Sequence, residues 1–316
     1  MTYILRRVGV AIGLIWLVAT LIFLVLRMIP GDPAELLLSA GGVAPDPAQV
    51  RELRERLGLE APLLAQYAAF MGQLLRFDLG NSLTDDYPVL DEIIRRLPRT
   101  LELILTASVL AIALGLPLGV MAALRRGTPA DRLLSAFASF NQSVPVFVLG
   151  TLLILLFAQT LRWVPAGGYV ALAQDPVRHL VNLLMPAVTI AVGLSTIIFR
   201  MTRASVLETL DREWVRTARA KGLPHDQVIR RHVVRNALGP VVTVIGLQMG
   251  NLLGGTVLVE YVFNWPGLSG YLVRAVEQRN YPEVQGIVLV ICTLFVLLNL
   301  VVDLLYAVLD PRVRHG

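Results

Sequence analysis

Cysteine and lysine are almost missing from this sequence: Cys292 and Lys221 are single occurrences among 316 residues. One cysteine excludes an intrachain disulfide framework and a CxxC metal knuckle. Cys292 lies in an apolar run and reads as a packing residue. The one lysine, in Ala220–Leu223, cannot serve a GxxxxGK[ST] loop, so the backbone cradle of a P-loop nucleotide hydrolase is excluded. HExxH, GxSxG and EF-hand loops are absent too. The four histidines, His179, His225, His232 and His315, show no pair at ligand spacing and read as solvated loop residues. No catalytic residue and no metal site emerges, so an intramembrane enzyme lacks its constellation. The long apolar runs also lack acids, with Asp303 the sole one near a run's interior. Ion-coupled carriers keep ionisable groups near the membrane midplane. Their absence here places the energy source on another polypeptide.

What the sequence does have is apolar length. It is 55% hydrophobic and 16% charged, with mean hydropathy +0.66, whereas a soluble domain is about 25% charged. About 20 apolar residues cross the hydrocarbon core, and six uncharged runs qualify: Val8–Leu26, Leu103–Leu124, Leu133–Leu161, Leu180–Phe199, Ala237–Val259 and Gln285–Val302. The third is overlong, so its helix is expected to fill only part of it. The first follows Arg6 and Arg7, lacks a small-x-small cleavage site and reads as an uncleaved signal anchor.

The pI of about 9.7 need not mean nucleic acid, because the charge sits in loops between the runs. Arg6 and Arg7, then Arg125, Arg126 and Arg132, then the stretch 200–235, then Arg312 and Arg314 mark the cytoplasmic side, with both termini there. Residues 200–235 hold nine basic and four acidic residues. Arg95, Arg96 and Arg99 strain the rule, but they close a long loop, and long loops translocate largely regardless of charge. That outer loop, Met28–Leu101, reads as a small domain. Asp46-Pro47 starts a helix with Val50, Leu53 and Leu57 on one face, ended by Gly58. A second amphipathic stretch covers Leu64–Leu75. The expected organisation is an N-terminal transmembrane helix (1–27), an extracytoplasmic loop domain (28–101) and a five-helix core (102–316) containing a cytoplasmic loop at 200–236.

A series of short segments then carries a resemblance. ARAKGL (Ala218–Leu223) with RNALGPVV (Arg235–Val242) resembles the cytoplasmic EAA-type loop of ATP-binding-cassette importer permeases. IPGDPAELLL (Ile29–Leu38), RELRERLGLEAPLLAQY (Arg51–Tyr67), FDLGNSL (Phe77–Leu83) and RLPRTLEL (Arg96–Leu103) follow the B-type permeases of the dipeptide, oligopeptide and nickel importers. VFNWPGLSG (Val262–Gly270), RNYPEVQG (Arg279–Gly286) and DLLYAVLDPRVR (Asp303–Arg314) continue in the same order and spacing. There are departures. Only Ala218 and Gly222 match the general EAA pattern, the closing proline is displaced to Pro240, and Asn280 stands where that branch is expected to carry Asp.

The resemblance implies an all-α, polytopic fold of six transmembrane helices, the type I importer permease, with a sizeable extracytoplasmic loop between the first two. It implies a partner set: a homologous second permease, two ATPases that bind ATP and magnesium, an extracytoplasmic solute-binding protein, and membrane lipids. This chain would carry no cofactor and meet no nucleic acid, in a bacterial or archaeal cytoplasmic membrane. The expected cargo is a di- or oligopeptide, with nickel, a metal–chelator complex or glutathione as alternatives on the same architecture. A stand-alone secondary carrier or channel is the rival of another class.

Residues follow from the same reading. Arg216, Ala218, Arg219, Lys221, Gly222 and Leu223 are expected to couple to the ATPase. Gly222 breaks a helix over Glu213–Lys221, Pro224 follows, and a second short helix spans Asp226–Arg235. Ala218 and Gly222 would let a partner approach closely. Asn141, Gln142 and Ser143, with Gln248 and Asn251, are polar groups inside spans, facing either the substrate path or neighbouring helices. Trp265, Pro266 and Gly267 are expected at a binding-protein contact.

Overall fold

Proline, capping side chains and apolar length together fix where the helices begin. The computed structural model describes every residue except 1, 29–34, 36–45, 57, 59 and 310–316. Ile29–Leu38 (Glu35 apart), Leu57, Arg312 and Arg314 therefore lie outside the described residues, as do the side chains of Leu53 and Asp303. The chain is helical, and among the described residues the only β feature is an isolated bridge between Asn81 and Pro88.

The helices are α1 (Thr2–Met28), α2 (Pro47–Arg56), α3 (Leu63–Leu75), α4 (Val89–Leu124), α5 (Pro129–Ser143), α6 (Val146–Leu153), α7 (Pro176–Leu210), α8 (Glu213–Ala220), α9 (Arg235–Gly255), α10 (Val257–Val262), α11 (Leu268–Glu277) and α12 (Tyr281–Leu309). A π-helical turn, Ile154–Thr160, prolongs α6, and another, Val228–Val234, leads into α9. The start of α7 shows the local logic: Asp175 accepts from the amides of Val177 (3.1 Å) and Arg178 (3.0 Å), and Pro176 supplies a preset φ. Thr128 with Pro129 does the same for α5, accepting from the Asp131 amide.

Among the described residues, five helical stretches are long and apolar enough to span a membrane: Leu5–Met28, Val89–Leu124, Pro176–Leu210, His225–Gly255 and Tyr281–Val301. The remaining expected span, the third in chain order, is broken. α5 and the α6 segment meet at 100° because Val144, before Pro145, is forced into extended backbone (φ −91°, ψ 121°). Several helices outrun the uncharged runs. α4 begins at Val89, with Glu92 receiving Arg95 and Arg96 on its surface, and α7 continues through Arg200, Arg203 and Glu208.

Two compact units form. The first comprises residues 1–98 and 267–296. Its core joins Val89 and Ile93 to Leu268, Tyr271, Ala275 and Ile287. The guanidinium of Arg96 lies 4.8 Å over the Tyr271 ring. Burial, then the adjacent Glu283, push the Tyr271 phenol up, so it stays protonated and donates to that carboxylate. Asn280, fully buried, secures the 82–84 loop. Its amide donates to Ser82 Oγ (3.0 Å) and Thr84 Oγ1 (3.3 Å), and its oxygen accepts from the Leu83 amide (3.3 Å). Ser82 in turn donates to Asp85, which holds that carboxyl below the usual range. A carboxylate at 280 would compete with Asp85 for the one Ser82 proton. Asn280→Asp should therefore cost about 1–3 kcal/mol, read as a lower Tm of the purified protein.

The second unit comprises residues 99–266 and 297–316. Leu103 and Ala107 of α4 pack with Leu183, Met185, Ala187 and Ile190 of α7, closed by Val259, Phe263 and Trp265. Lower on the same pair, the backbones of α4 and α7 meet at Gly115 and Gly119. α5 is tied to α7 by a bidentate pair, Arg203 Nε and Nη2 to Asp131 Oδ1 (2.7 Å) and Oδ2 (2.9 Å).

Candidate functional site

The stretch after α7 is built as one packed element. Arg212 adopts extended backbone and α8 follows. α8 ends in two bonds, Gly222 N–H to Arg219 O (3.0 Å) and Leu223 N–H to Ala218 O (3.4 Å). This is the Schellman arrangement, with Gly222 at φ +74° in the position that needs a left-handed residue. Leu223 folds back onto Ala218, and Pro224 prevents continuation.

Val215 and Ala218 then pack on Val228, Ile229, Val233 and Ala237, with Ala123 and Val206 behind them. The small side chain of Ala218 thus admits the neighbouring arm of this same chain, and Leu223 also turns inward. The second arm differs from the expected short helix over Asp226–Arg235. It is continuous with the fifth span, one helical stretch over His225–Gly255, because no glycine or proline interrupts Val228–Ala237.

The outward side carries Arg216, Thr217, Arg219, Ala220, Lys221 and Gly222, all exposed. Trp214 stands beside them, 41% exposed. Glu208 holds Arg212, Glu213 holds Arg216 (3.3 Å) and Asp226 holds Arg230 (3.2 Å). These are solvated pairs of little energetic weight. Among the described residues no carboxylate lies within ion-pair distance of Arg219 or Lys221, so the surface presents net positive charge. Trp214 was missed in the sequence, where a lone aromatic within a basic segment was the available signal.

The polar residues of the broken span and the fifth span divide. Asn141 bonds the Val192 carbonyl (3.1 Å) and Thr196 Oγ1 (3.2 Å) of α7, so it joins helices. Gln142 accepts from Arg200 and is exposed. Ser143 donates to the Ser139 carbonyl (3.1 Å) and Asn251 to Gln248 Oε1 (3.1 Å), each within its own helix. Trp265 is only 2% exposed. Its indole N–H donates to the Arg99 carbonyl (3.0 Å) and its ring meets Tyr169 edge-on at 5.1 Å. Gly267 is buried and Pro266 half-buried. Trp265 therefore closes a core where a partner contact was expected.

His179 also departs from its reading as a solvated residue. It is buried, with Nε2 2.7 Å from Glu102 Oε1 and Nδ1 2.7 Å from the Val170 carbonyl. Glu102 is 77 positions away, so no local pattern announced the pair. Glu260 is a buried carboxylate and accepts from Thr100 Oγ1 at 2.7 Å. Among the described residues no group of three or more His, Cys, Asp or Glu could hold a metal ion.

Comparison with known proteins bears on this geometry. The family described as Binding-protein-dependent transport system inner membrane component matches residues 115–315, and its N-terminal companion matches 1–104. The Di/tripeptide transport system permease protein of Pseudomonas aeruginosa (strain UCBPP-PA14) is 40% identical over 338 residues, covering 100% of this chain and 99% of the relative. The Glutathione transport system permease protein of Escherichia coli O6:H1 is 42% identical, with 100% and 99% covered. The Dipeptide transport system permease protein of E. coli K12 is 38% identical, with 99% and 98% covered. Among solved structures, a chain of the inward-facing MetNI methionine transporter is similar at TM-score 0.56 and 21% identity, over 69% of this chain and 96% of that one. An amino acid ABC transporter chain is similar at 0.51 and 18%, over 71% and 94%.

Proposed function

Because the chain belongs to the binding-protein-dependent transport system inner membrane component family, and so is a multi-pass permease subunit of an ATP-binding-cassette importer and not an enzyme, we propose that its cargo is a short peptide. The observation that carries this is the full-length similarity to three permeases whose names give di/tripeptide, dipeptide and glutathione, itself a tripeptide. Nickel and metal–chelator cargo are the competing outcomes. Calorimetry of the cognate binding protein with dipeptide, glutathione and Ni²⁺ in turn decides among them.

In this reading the chain pairs with a homologous permease in a bacterial or archaeal cytoplasmic membrane, both termini inside. Residues 200–236 face the cytoplasm, and 28–101 face outward to a solute-binding protein. Two ATPases carry ATP and magnesium. α8 seats on an ATPase, with Trp214 as its apolar anchor and Arg216, Arg219 and Lys221 meeting an acidic rim. Ala218 and Leu223 hold the shape of that element from within, and Gly222, on its exposed face, lets the ATPase approach closely. Gln142, Ser143, Gln248 and Asn251 are the polar groups left for the pathway, and Asn141 fixes the broken span. With Trp265 buried, Trp265–Gly267 supports the binding-protein contact from below.

Gly222 tests the coupling role. A Cβ there meets nothing within 4 Å, Gly222 is exposed, and its left-handed backbone costs a non-glycine residue about 1–2 kcal/mol. Gly222→Leu in the full transporter should retain most of its thermal stability. It should lose ATPase co-purification and at least about tenfold in ATP-driven uptake, the loss of a close-packed contact worth about 1.4 kcal/mol or more. Unchanged uptake and co-purification would defeat the assignment.

A further inference from the structure

α3 presents three faces. Gln66, Tyr67 and Phe70 lie on α1: Phe70 stacks on Phe23 at 5.6 Å, Tyr67 meets Phe23 edge-on at 5.3 Å, and the Tyr67 hydroxyl is 2.7 Å from Thr20 Oγ1. Gln66 accepts from Arg27 Nε at 2.8 Å, and the Arg27 guanidinium sits 4.0 Å over the Phe23 ring. Ala65, Ala69 and Gln73 line a cavity of about 850 Å³. The third face, Leu64, Ala68, Met71 and Leu75, is an apolar stripe at helical spacing. Its ends are among the most exposed apolar groups in the chain, Leu64 at 82% and Leu75 at 84%, followed by Phe77 at 79%.

Depth along α1 identifies what covers that stripe. Arg27 is the first charge after the apolar run of α1, so it marks the membrane boundary. Phe23 lies about one helical turn, and Thr20 about two turns or 10 Å, inward of it. α3 therefore packs against the lipid-depth portion of a spanning helix. The 13 residues of α3 contain no charge and are too few to span, the length of an interfacial or re-entrant segment. Its charged neighbours, Glu60 and Arg76, stand outside both ends. Arg27 at the boundary fits the headgroup level, and below it the Tyr67 hydroxyl is satisfied by Thr20.

We propose that α3 is a membrane-embedded interfacial helix whose Leu64–Ala68–Met71–Leu75 stripe is covered by acyl chains of the outer leaflet, continuous with the lipid-facing surface of α1. The proposal rests on the orientation given above. The loop between the first two spans is thereby anchored in the bilayer at α3, and its aqueous part starts after this helix.

The test uses the full transporter in liposomes, with Cys292→Ala as background. Leu64→Cys and Leu75→Cys each carry a nitroxide label, with Leu24→Cys as lipid reference and Tyr87→Cys as water reference. These are exposed positions, so labelling leaves the fold in place. Collision with oxygen against a water-soluble nickel chelate should give both α3 sites the ratio of Leu24→Cys, about fivefold or more above Tyr87→Cys, as expected for a helix 5–10 Å below the headgroups. A ratio like that of Tyr87→Cys would overturn the proposal. So would shielding from both agents, which would mean a protein partner covers the stripe. ATP-driven uptake by the unlabelled protein tests the transport reading separately, and its loss would leave the accessibility result standing.

Discussion

Gly115→Leu should abolish assembly of a stable transporter. A Cβ at 115 would stand 2.6 Å from the Ser195 carbonyl oxygen and 2.9 Å from Ile198 Cβ. At Gly119 the distances are 2.7 Å to Thr202 Cβ and 2.8 Å to the Phe199 carbonyl oxygen. Two of these obstacles are backbone oxygens of α7, so no rotamer change relieves them and the helices must separate. Small residues four apart permit this approach, which lipid-embedded helices need because no hydrophobic driving force draws them together. The expected cost is at or above the top of the overpacking range, about 3 kcal/mol. Gly115→Ala and Gly119→Ala should already lower the Tm. Gly193, in α7 with nothing within 4 Å of a Cβ, is the control: Gly193→Ala should be neutral or stabilising by up to about 1 kcal/mol. If Gly115→Leu melts and accumulates as the parent does, the crossing is not as close as described.

Arg203→Ala should be nearly as damaging. Asp131 has only 5% of its side chain exposed and receives both Arg203 nitrogens, the Gly127 amide at 3.0 Å and the Ser135 hydroxyl. Removing the arginine leaves a buried carboxylate with half its donors, a loss of about 3–5 kcal/mol. Arg203→Lys should recover only part, since an ammonium cannot supply two parallel bonds. The double variant Asp131→Ala with Arg203→Ala should be less destabilised than Arg203→Ala alone, because it removes the stranded charge. Differential melting of the three variants checks the ordering, and a double variant less stable than Arg203→Ala alone would refute it.

The legible parts of the structure were those with local causes. Gly222 followed by Pro224 announced a helix end, and the Schellman bonds formed there. Asp46-Pro47 and Gly58 bracketed α2. Pro145 lay inside the third apolar run and became its bend. Counting uncharged residues failed at helix ends, because a helix tolerates charges that find partners on its surface. Glu92 with Arg95 and Arg96 lengthens α4, and Arg203 with Asp131 lengthens α7. What the sequence could not show was burial created by distant segments. Trp265, expected at a binding-protein contact, is enclosed by the Arg99 carbonyl and the Tyr169 ring. Ala218 was read as facing a partner, yet it faces Val228 and Val233, because direction on an eight-residue helix is set by what the chain returns to pack against it.

The continuity of His225–Gly255 has a mechanical consequence. A 31-residue helix is a rod about 46 Å long, longer than the hydrocarbon layer is thick, and α8 is clamped to its base through Val215, Ala218, Ile229 and Val233. A displacement applied to α8 would therefore enter the rod at that clamp. Its compliant places are the π-helical turn Val228–Val234, which holds the clamp residues Ile229 and Val233, and Gly239–Pro240 beyond it, where proline removes a ladder hydrogen bond. In the coupling role proposed above, these two places would set how much of a displacement of α8 becomes rotation of the span and how much becomes bending.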